Sequence, residues 1–268
     1  MSDIHHRNHG EAFDLKLTAQ DLDWINKYYP ALTASKRPNG VDEIQGKLKF
    51  AMSYNHSDNS FLIGSQTIQQ GSGINIEDEY QIKIIFAPTT SSKLPQVFEV
   101  GGKIENFAKS NLIDLSDLHI NPSKAACLCV EGSEDEYFSS GFKLSDFMNQ
   151  MVIPFFYEQS FFQKYRHWPW GEYAHGVLGI IEKYGETDSH SREEVEKVFS
   201  VIIRSEENYI VRQMLKKRKN IKGYKKCVCG SKKKMSECHP GIYVGLSKLK
   251  DDLIKHSIPH KVVLDNYI

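Results

Sequence analysis

Two groups of cysteines could do chemistry in this chain. The first lies in KKCVCGSKKKMSECHP, where Cys227, Cys229, Cys238 and His239 form a C-x-C-x8-C-H pattern. Three thiolates and one imidazole make a closed tetrahedral set of the kind that holds structural zinc. A closed set leaves no position open for a substrate, which argues against catalysis by this metal. Gly230 permits a turn that aims backbone amides at the sulfurs, and the flanking lysines offset the negative charge of three thiolates. The second group is Cys127 and Cys129 in DLHINPSKAACLCVEG, the cysteines that remain once zinc has taken its three. An accessible thiol can accept an acyl group as a thioester and pass it to an amine, if a donor stabilises the oxyanion. His119 and Asn121 are near enough in sequence to serve as that donor or as a base. The competing reading is that Ala-Ala-Cys-Leu-Cys-Val is a small buried hydrophobic run and that His119 only bonds loop backbone.

The C-terminal pattern resembles the SEC-C zinc motif, found at the C-terminus of bacterial preprotein translocase ATPases and on many other bacterial proteins. The resemblance covers residues 224–241 and rests on the CxCGSxKK opening and the Cys238-His239 pair; Lys232 stands where the family usually has a second glycine. It implies a small module that docks a protein partner.

A second resemblance is carried by Pro95, Val97, Glu99, Gly101 and Gly102, then His119, Asn121 and Cys127-Leu128. Trp168, Pro169, Gly171, Glu172, His175 and Gly176 complete it. Together they resemble the ubiquitin-conjugating (UBC) fold in its prokaryotic form, over residues 40–190, with HIN in place of HPN. The prokaryotic members accompany antiphage systems built around cGAS-like nucleotidyltransferases (CBASS). The resemblance implies a cysteine that joins the nucleotidyltransferase's C-terminus to a target. The cysteine-leucine pair of the prokaryotic pattern falls on Cys127. The spacing from the histidine in eukaryotic members falls on Cys129 instead, so both stay open, with Cys127 preferred. If residues 126–130 are extended, both thiols point to one face. Trp168, Trp170, Glu172 and His175 read better as residues that pin C-terminal helices to a sheet.

These residues need elements to hold them. Thr18 with Asp21 reads as a capping pair for a helix through Leu22, Ile25 and Tyr29 that Pro30 ends. LKFAMSY, FLIGSQ, YQIKIIFA and PQVFEV are β-rich runs separated by turn residues, as in an antiparallel meander. Residues 106–140 show little regular pattern. Leu144, Phe147, Met151 and Phe155 mark a helix face, with Pro154 expected to kink or split it. Ser191 and Glu194 open a long helix through Val198, Ile202, Ile203, Tyr209 and Leu215. The fold class expected is therefore α+β: a UBC-like antiparallel meander packed against helices, then a helical linker and a small zinc knuckle. The expected divisions are 1–40 (a segment with one helix), 41–190 (the conjugating domain), 191–220 (a linker helix) and 221–268 (zinc motif and tail).

Composition sets the outer bounds. At 40% hydrophobic and 25% charged residues the chain can bury a core, which excludes disordered and fibrous classes. Thirty-four basic residues balance thirty-four acidic ones, so only the distribution of charge informs on partners. Between Arg212 and Lys234 the charged residues are all basic, and the main boundary is expected near Asn220. That run suits an acidic protein surface or, as a weaker alternative, nucleic acid; Tyr224 and Tyr243 are too few for a base-stacking platform. No apolar run approaches the ~20 residues of a membrane span. The polar start and the cysteine usage point to the cytoplasm. His5, His6 and His9 suggest a mobile start rather than a metal site. No GK[ST] phosphate loop and no G-x-G-x-x-G after a strand is present, so any ATP-dependent activation would fall to another protein.

Three functions follow: a UBC-like transferase with Cys127 as nucleophile and a zinc tail for docking, an inert adaptor of the same fold, and a zinc-bearing nucleic-acid binder.

Overall fold

The computed structural model describes residues 15–58, 60–64, 73–87, 93–130, 137–138, 141–170, 173–174, 176–204, 209–217, 221–228 and 232–265. They fall in two compact units, Met1–Gly171 and Glu172–Ile268. The His-rich start, with His5, His6 and His9, lies outside the described residues, as do Gly171, Glu172 and His175.

In the first unit Thr18 and Asp21 form the expected capping box, and α1 runs Ala19–Tyr28 with Ile25 buried. The strands are β1 (Leu32–Lys36), β2 (Asp42–Asn55), β3 (Ser60–Ile63), β4 (Ile74–Ile85) and β5 (Gln96–Glu99). All pair antiparallel in the order β1-β2-β4-β5, and β3 pairs with the far end of β2. The sheet is a meander with β3 set off its path. Register puts even-numbered residues of β2 and β4 on the inner face: Ile44 opposite Ile84, Leu48 opposite Tyr80, Met52 opposite Ile76. Each of these is buried. Gly46 lies in that row at φ +139°, where a Cβ would meet the Ala31 carbonyl oxygen at 2.2 Å.

After β5 comes α2 (Lys103–Asn111), which runs into the 106–140 stretch where little regular pattern was expected, followed by a 3-10 turn at Ser116–Leu118. The helix that covers the sheet is α3, made of Leu144–Phe147, Met148–Val152 and Ile153–Tyr165. The regular α winding is interrupted just before Pro154, where a split was expected. A π turn precedes the proline, in which the Ile153 amide reaches back to the Met148 carbonyl. The wider turn accommodates a ring that would clash with the preceding turn of a regular α-helix. Phe156 of α3 meets Tyr80 with ring centroids 4.7 Å apart, and the Ser160 hydroxyl reaches both Tyr80 and Asp78.

The second unit is helical: α4 (Val177–Tyr184), α5 (Arg192–Arg204), α6 (Tyr209–Lys216), α7 (Met235–Cys238), α8 (Pro240–Lys255) and α9 (His260–Asp265). Ser191 and Glu194 cap α5 reciprocally, as expected. One core holds Val195, Ile202, Leu215, Met235, Ile242, Leu246 and Leu264. The helices expected to link two domains are thus packed into the same core as the cysteine-bearing segment. The division falls at Gly171/Glu172, not near Asn220. Gly245 of α8 lies so close to α4 that a Cβ would stand 1.8 Å from the Ile181 carbonyl oxygen. The Tyr184 hydroxyl donates to Asp252 at 2.6 Å, and His190 Nδ1 lies 3.2 Å from the same carboxylate. No helix among the described residues is long and apolar enough to cross a membrane.

Candidate functional site

In the second unit the cysteine-bearing segment folds back on itself. Lys226 pairs with Lys234 in an isolated antiparallel bridge, and the Cys227 amide donates to the Lys233 carbonyl at 2.8 Å. The Met235 amide returns to the Lys225 carbonyl at 2.8 Å, and Met235 is fully buried. The short α7 then brings up Cys238, and His239 is the N-cap of α8, with Pro240 in the first turn. This path gathers Cys227, Cys238 and His239 so that their donor atoms all lie within 4.8 Å of one another. Cys229 lies outside the described residues.

The donor set fits zinc in chemistry and in size. Zn–S near 2.3 Å and Zn–N near 2.0–2.1 Å in a tetrahedron require S···N of about 3.5 Å. Cys227 Sγ and His239 Nδ1 are 3.4 Å apart. Cys227 is buried and Cys238 packs against the same core, so a metal here would be continuous with the packing of the unit. Lys232, at the position where the zinc motif usually has glycine, has φ +64°. That left-handed conformation is the reason glycine suits the position.

Around the knuckle Lys222, Lys225, Lys226, Lys232, Lys233 and Lys234 are exposed. Arg212, the first residue of the basic run, is not part of this surface. It is buried and donates to the Ile203 carbonyl at 3.1 Å.

The second site is in the first unit. His119 to Cys127 form a tight hairpin: Ile120 bridges Ala126, the Asn121 amide donates to the Ala125 carbonyl, and the Cys127 amide donates to the His119 carbonyl. The Ala126 amide donates to the Val97 carbonyl at 2.7 Å, which fastens the hairpin to β5. From α3, Gln159 donates to the Leu118 carbonyl at 2.9 Å. The His119 ring lies against Trp168 with centroids 4.9 Å apart, and Trp168 stacks on Phe162 of α3 at 4.4 Å. His119 is therefore held by its ring as well as its backbone. The Asn121 carboxamide donates weakly to the Ala126 carbonyl at 3.4 Å.

The hairpin thus holds the backbones of His119, Asn121 and Cys127 in one short segment. The two cysteines differ in surroundings. Residues 126–130 do not continue as a strand; Cys129 sits at a bend and packs against the core with Ala126 and Leu128. Cys127 is half-buried. Burial, and after it the negative charge of Glu158 on α3, push its thiol above the usual cysteine range. A poised nucleophile was expected to have the opposite shift. Glu158 escaped the sequence reading because its approach to the hairpin is made only by tertiary packing.

Comparison of the chain with protein families, with curated proteins and with solved structures finds no match in any of the three.

Proposed function

We propose that this protein is a ubiquitin-conjugating-like acyl-transfer enzyme of the cytoplasm, with Cys127 as acceptor, carrying a structural zinc knuckle for docking its partner. The observation that carries the reading is the hairpin joining His119, Asn121 and Cys127 beside a half-accessible thiol. In the reaction, sulfur attacks the carbonyl of an activated acyl donor. The C–S bond forms, the bond to the leaving group breaks, and the thiol proton departs with that group. An amine then attacks the thioester: C–N forms, C–S breaks, and a proton returns to sulfur. A raised thiol pKa suits a carrier, because a more basic thiolate leaves more slowly and so slows loss of the acyl group to water. The corresponding donor is a cGAS-like nucleotidyltransferase C-terminus in an antiphage system. The zinc ligands are Cys227, Cys229, Cys238 and His239, and the exposed lysines around them suit an acidic protein surface.

The test is intact mass spectrometry of the chain co-expressed with its genomic neighbours under non-reducing conditions. The reading requires a hydroxylamine-sensitive adduct on the peptide holding Cys127 and Cys129, lost in Cys127→Ala. An adduct that survives Cys127→Ala and is lost in Cys129→Ala moves the role to Cys129.

The second reading is an inert adaptor of the same fold. The raised thiol favours it, since a resting thiol that stays protonated is also what a structural cysteine shows. A stable non-covalent complex with no adduct would select it.

A further inference from the structure

The sheet of the first unit has a gap in one edge. Along that edge β1 pairs with β2 up to Gly46, and β3 takes over from Met52. One bond bounds the gap at each end: the Lys47 amide donates to the Ala31 carbonyl, and the Gly64 amide donates to the Ala51 carbonyl. Both bonds leave β2 on the same side. The amide and carbonyl of Lys49, midway between, therefore point to that side too, and no strand among the described residues covers them there. The interval spans about 14 Å, room for two or three extended residues.

The gap borders a cleft of about 930 Å³ lined by Trp24, Tyr28, Tyr29, Lys49, Gly64 and Glu77, among others. The Trp24 ring lies 5.4 Å from Tyr28 and 5.3 Å from Tyr29 between centroids, which makes an aromatic wall. Aromatic faces attract cations, and the Lys27 ammonium already lies 5.0 Å over the Tyr28 ring. Of the carboxylates that line the cleft, Glu79 is paired with Lys47 and Lys49, and Asp78 with Lys103. Glu77, exposed and opposite Ala51 in register, has no ion pair among the described residues. The cleft thus offers a main-chain donor and acceptor, aromatic faces and one unneutralised carboxylate.

We infer that this cleft binds a short extended peptide through a basic residue. The peptide's main chain pairs with Lys49 as an added stretch of strand, and its ammonium or guanidinium lies against the aromatic wall and Glu77. The gap is on the β1 and β3 side of β2, whereas the Cys127 hairpin is fastened to β5 at the other end of the strand order. The inference therefore stands apart from the transfer reading.

The test titrates the full chain with three probes by saturation-transfer NMR: Nα-acetyl-lysine N-methylamide, its neutral norleucine counterpart, and n-butylammonium, which lacks the main chain. The lysine probe should bind with a Kd of ~1 mM, the scale set by its size. The norleucine probe should bind about fivefold more weakly, for want of the cation–π contact and the screened charge pair. Butylammonium should bind about tenfold more weakly, for want of two main-chain hydrogen bonds. Glu77→Gln should weaken the lysine probe by about threefold and leave the norleucine probe unchanged. Tyr28→Ala should weaken the lysine probe by a similar factor, and Tyr28→Phe, which keeps the ring, should not. Both side chains are exposed, so an unmoved thermal transition will show that the variants fold. Equal binding of the lysine and norleucine probes, or a lysine affinity that neither variant changes, overturns the inference. So does butylammonium binding as tightly as the lysine probe, or no saturation transfer to the lysine probe at all.

Discussion

Chelation of the proposed zinc should lower the stability of the second unit severely. Opening the knuckle exposes Met235, which is fully buried, and Cys227, which is 4% exposed. Re-exposing a methionine-sized side chain costs about 1.5–3 kcal/mol, and cysteine somewhat less. The knuckle also holds three backbone hydrogen bonds, from Cys227 to Lys233, Met235 to Lys225 and Cys238 to Lys234. Each contributes about 0.5–1.5 kcal/mol. Together these approach 5 kcal/mol or so, comparable to the ~5–15 kcal/mol total stability of a domain of about 100 residues. At ~4–8 °C per kcal/mol the transition should fall by some 20 °C or more. The protein supplies its own reference: its three tryptophans, Trp24, Trp168 and Trp170, all lie in the first unit. Far-UV circular dichroism should show the helical transition falling after 1,10-phenanthroline treatment or in Cys238→Ser, while tryptophan fluorescence marks the first unit. Zinc analysis should give about one ion per chain before treatment and none after. A helical transition that stays in place on chelation would refute the metal assignment and the packing argument together.

Three further outcomes follow. Lys232→Gly should raise the melting temperature of the second unit by a few degrees, because a left-handed lysine costs about 1 kcal/mol and glycine's extra chain entropy offsets only part of that; Lys232→Val should lower it, and a reversed order would sink the strain argument. Cys127 should alkylate with iodoacetamide more slowly at neutral pH in the folded chain than in the urea-unfolded one, and accelerate as pH rises past the ordinary thiol value of 9.0. Because its folded value is raised, the stability it contributes is present below the unfolded value and lost as pH rises through the folded one; equal rates in both states would contradict the environment described. For Asp78, burial pushes the carboxyl up, but hydrogen bonds from Lys103 and Ser160 outweigh it and hold the group below the usual range. Its contribution is therefore present above the unfolded value of 3.8 and lost as pH falls through the folded one. With Lys103 37% exposed, Asp78→Asn should cost only about 1 kcal/mol at pH 7 and flatten the acid limb of a urea titration.

Local signals were legible in the sequence where they are self-contained. The capping boxes at Thr18 and Ser191 depend on residues three apart, and both form. The central strands were visible from their β-rich runs. The start of β2 was not, because Glu43, Gln45 and Lys47 alternate with Gly46 and dilute the apolar pattern. The short β1, LTASK, owes its state to pairing with β2 rather than to its own residues. For α2, KIENFAKSN offers only Ile104, Phe107 and Ala108 after a Gly-Gly pair, too little for a periodicity argument. Basic composition suggested a boundary at the lysine run, yet Arg212 at its start is a core residue, since a guanidinium can be buried when a carbonyl receives it. The gathering of Cys227, Cys238 and His239 was readable from spacing. The electrostatic effect of Glu158 on Cys127 was not, as it acts between residues far apart in sequence.

The π turn in α3 has a bearing on how this chain tolerates length change. Such a turn adds one residue to an α-helix without lengthening the path to either side. Leu144 and Phe147 before it, and Phe155, Phe156 and Phe161 after it, are all buried. They keep that alignment only because the extra residue is absorbed between them. Deleting Asn149 would therefore close the turn to regular α winding while both apolar halves keep their faces. Pro154 would then enter a regular turn that its ring and its missing amide do not fit. The π turn is thus the seat of the proline, and a deletion there should be tolerated only together with replacement of Pro154.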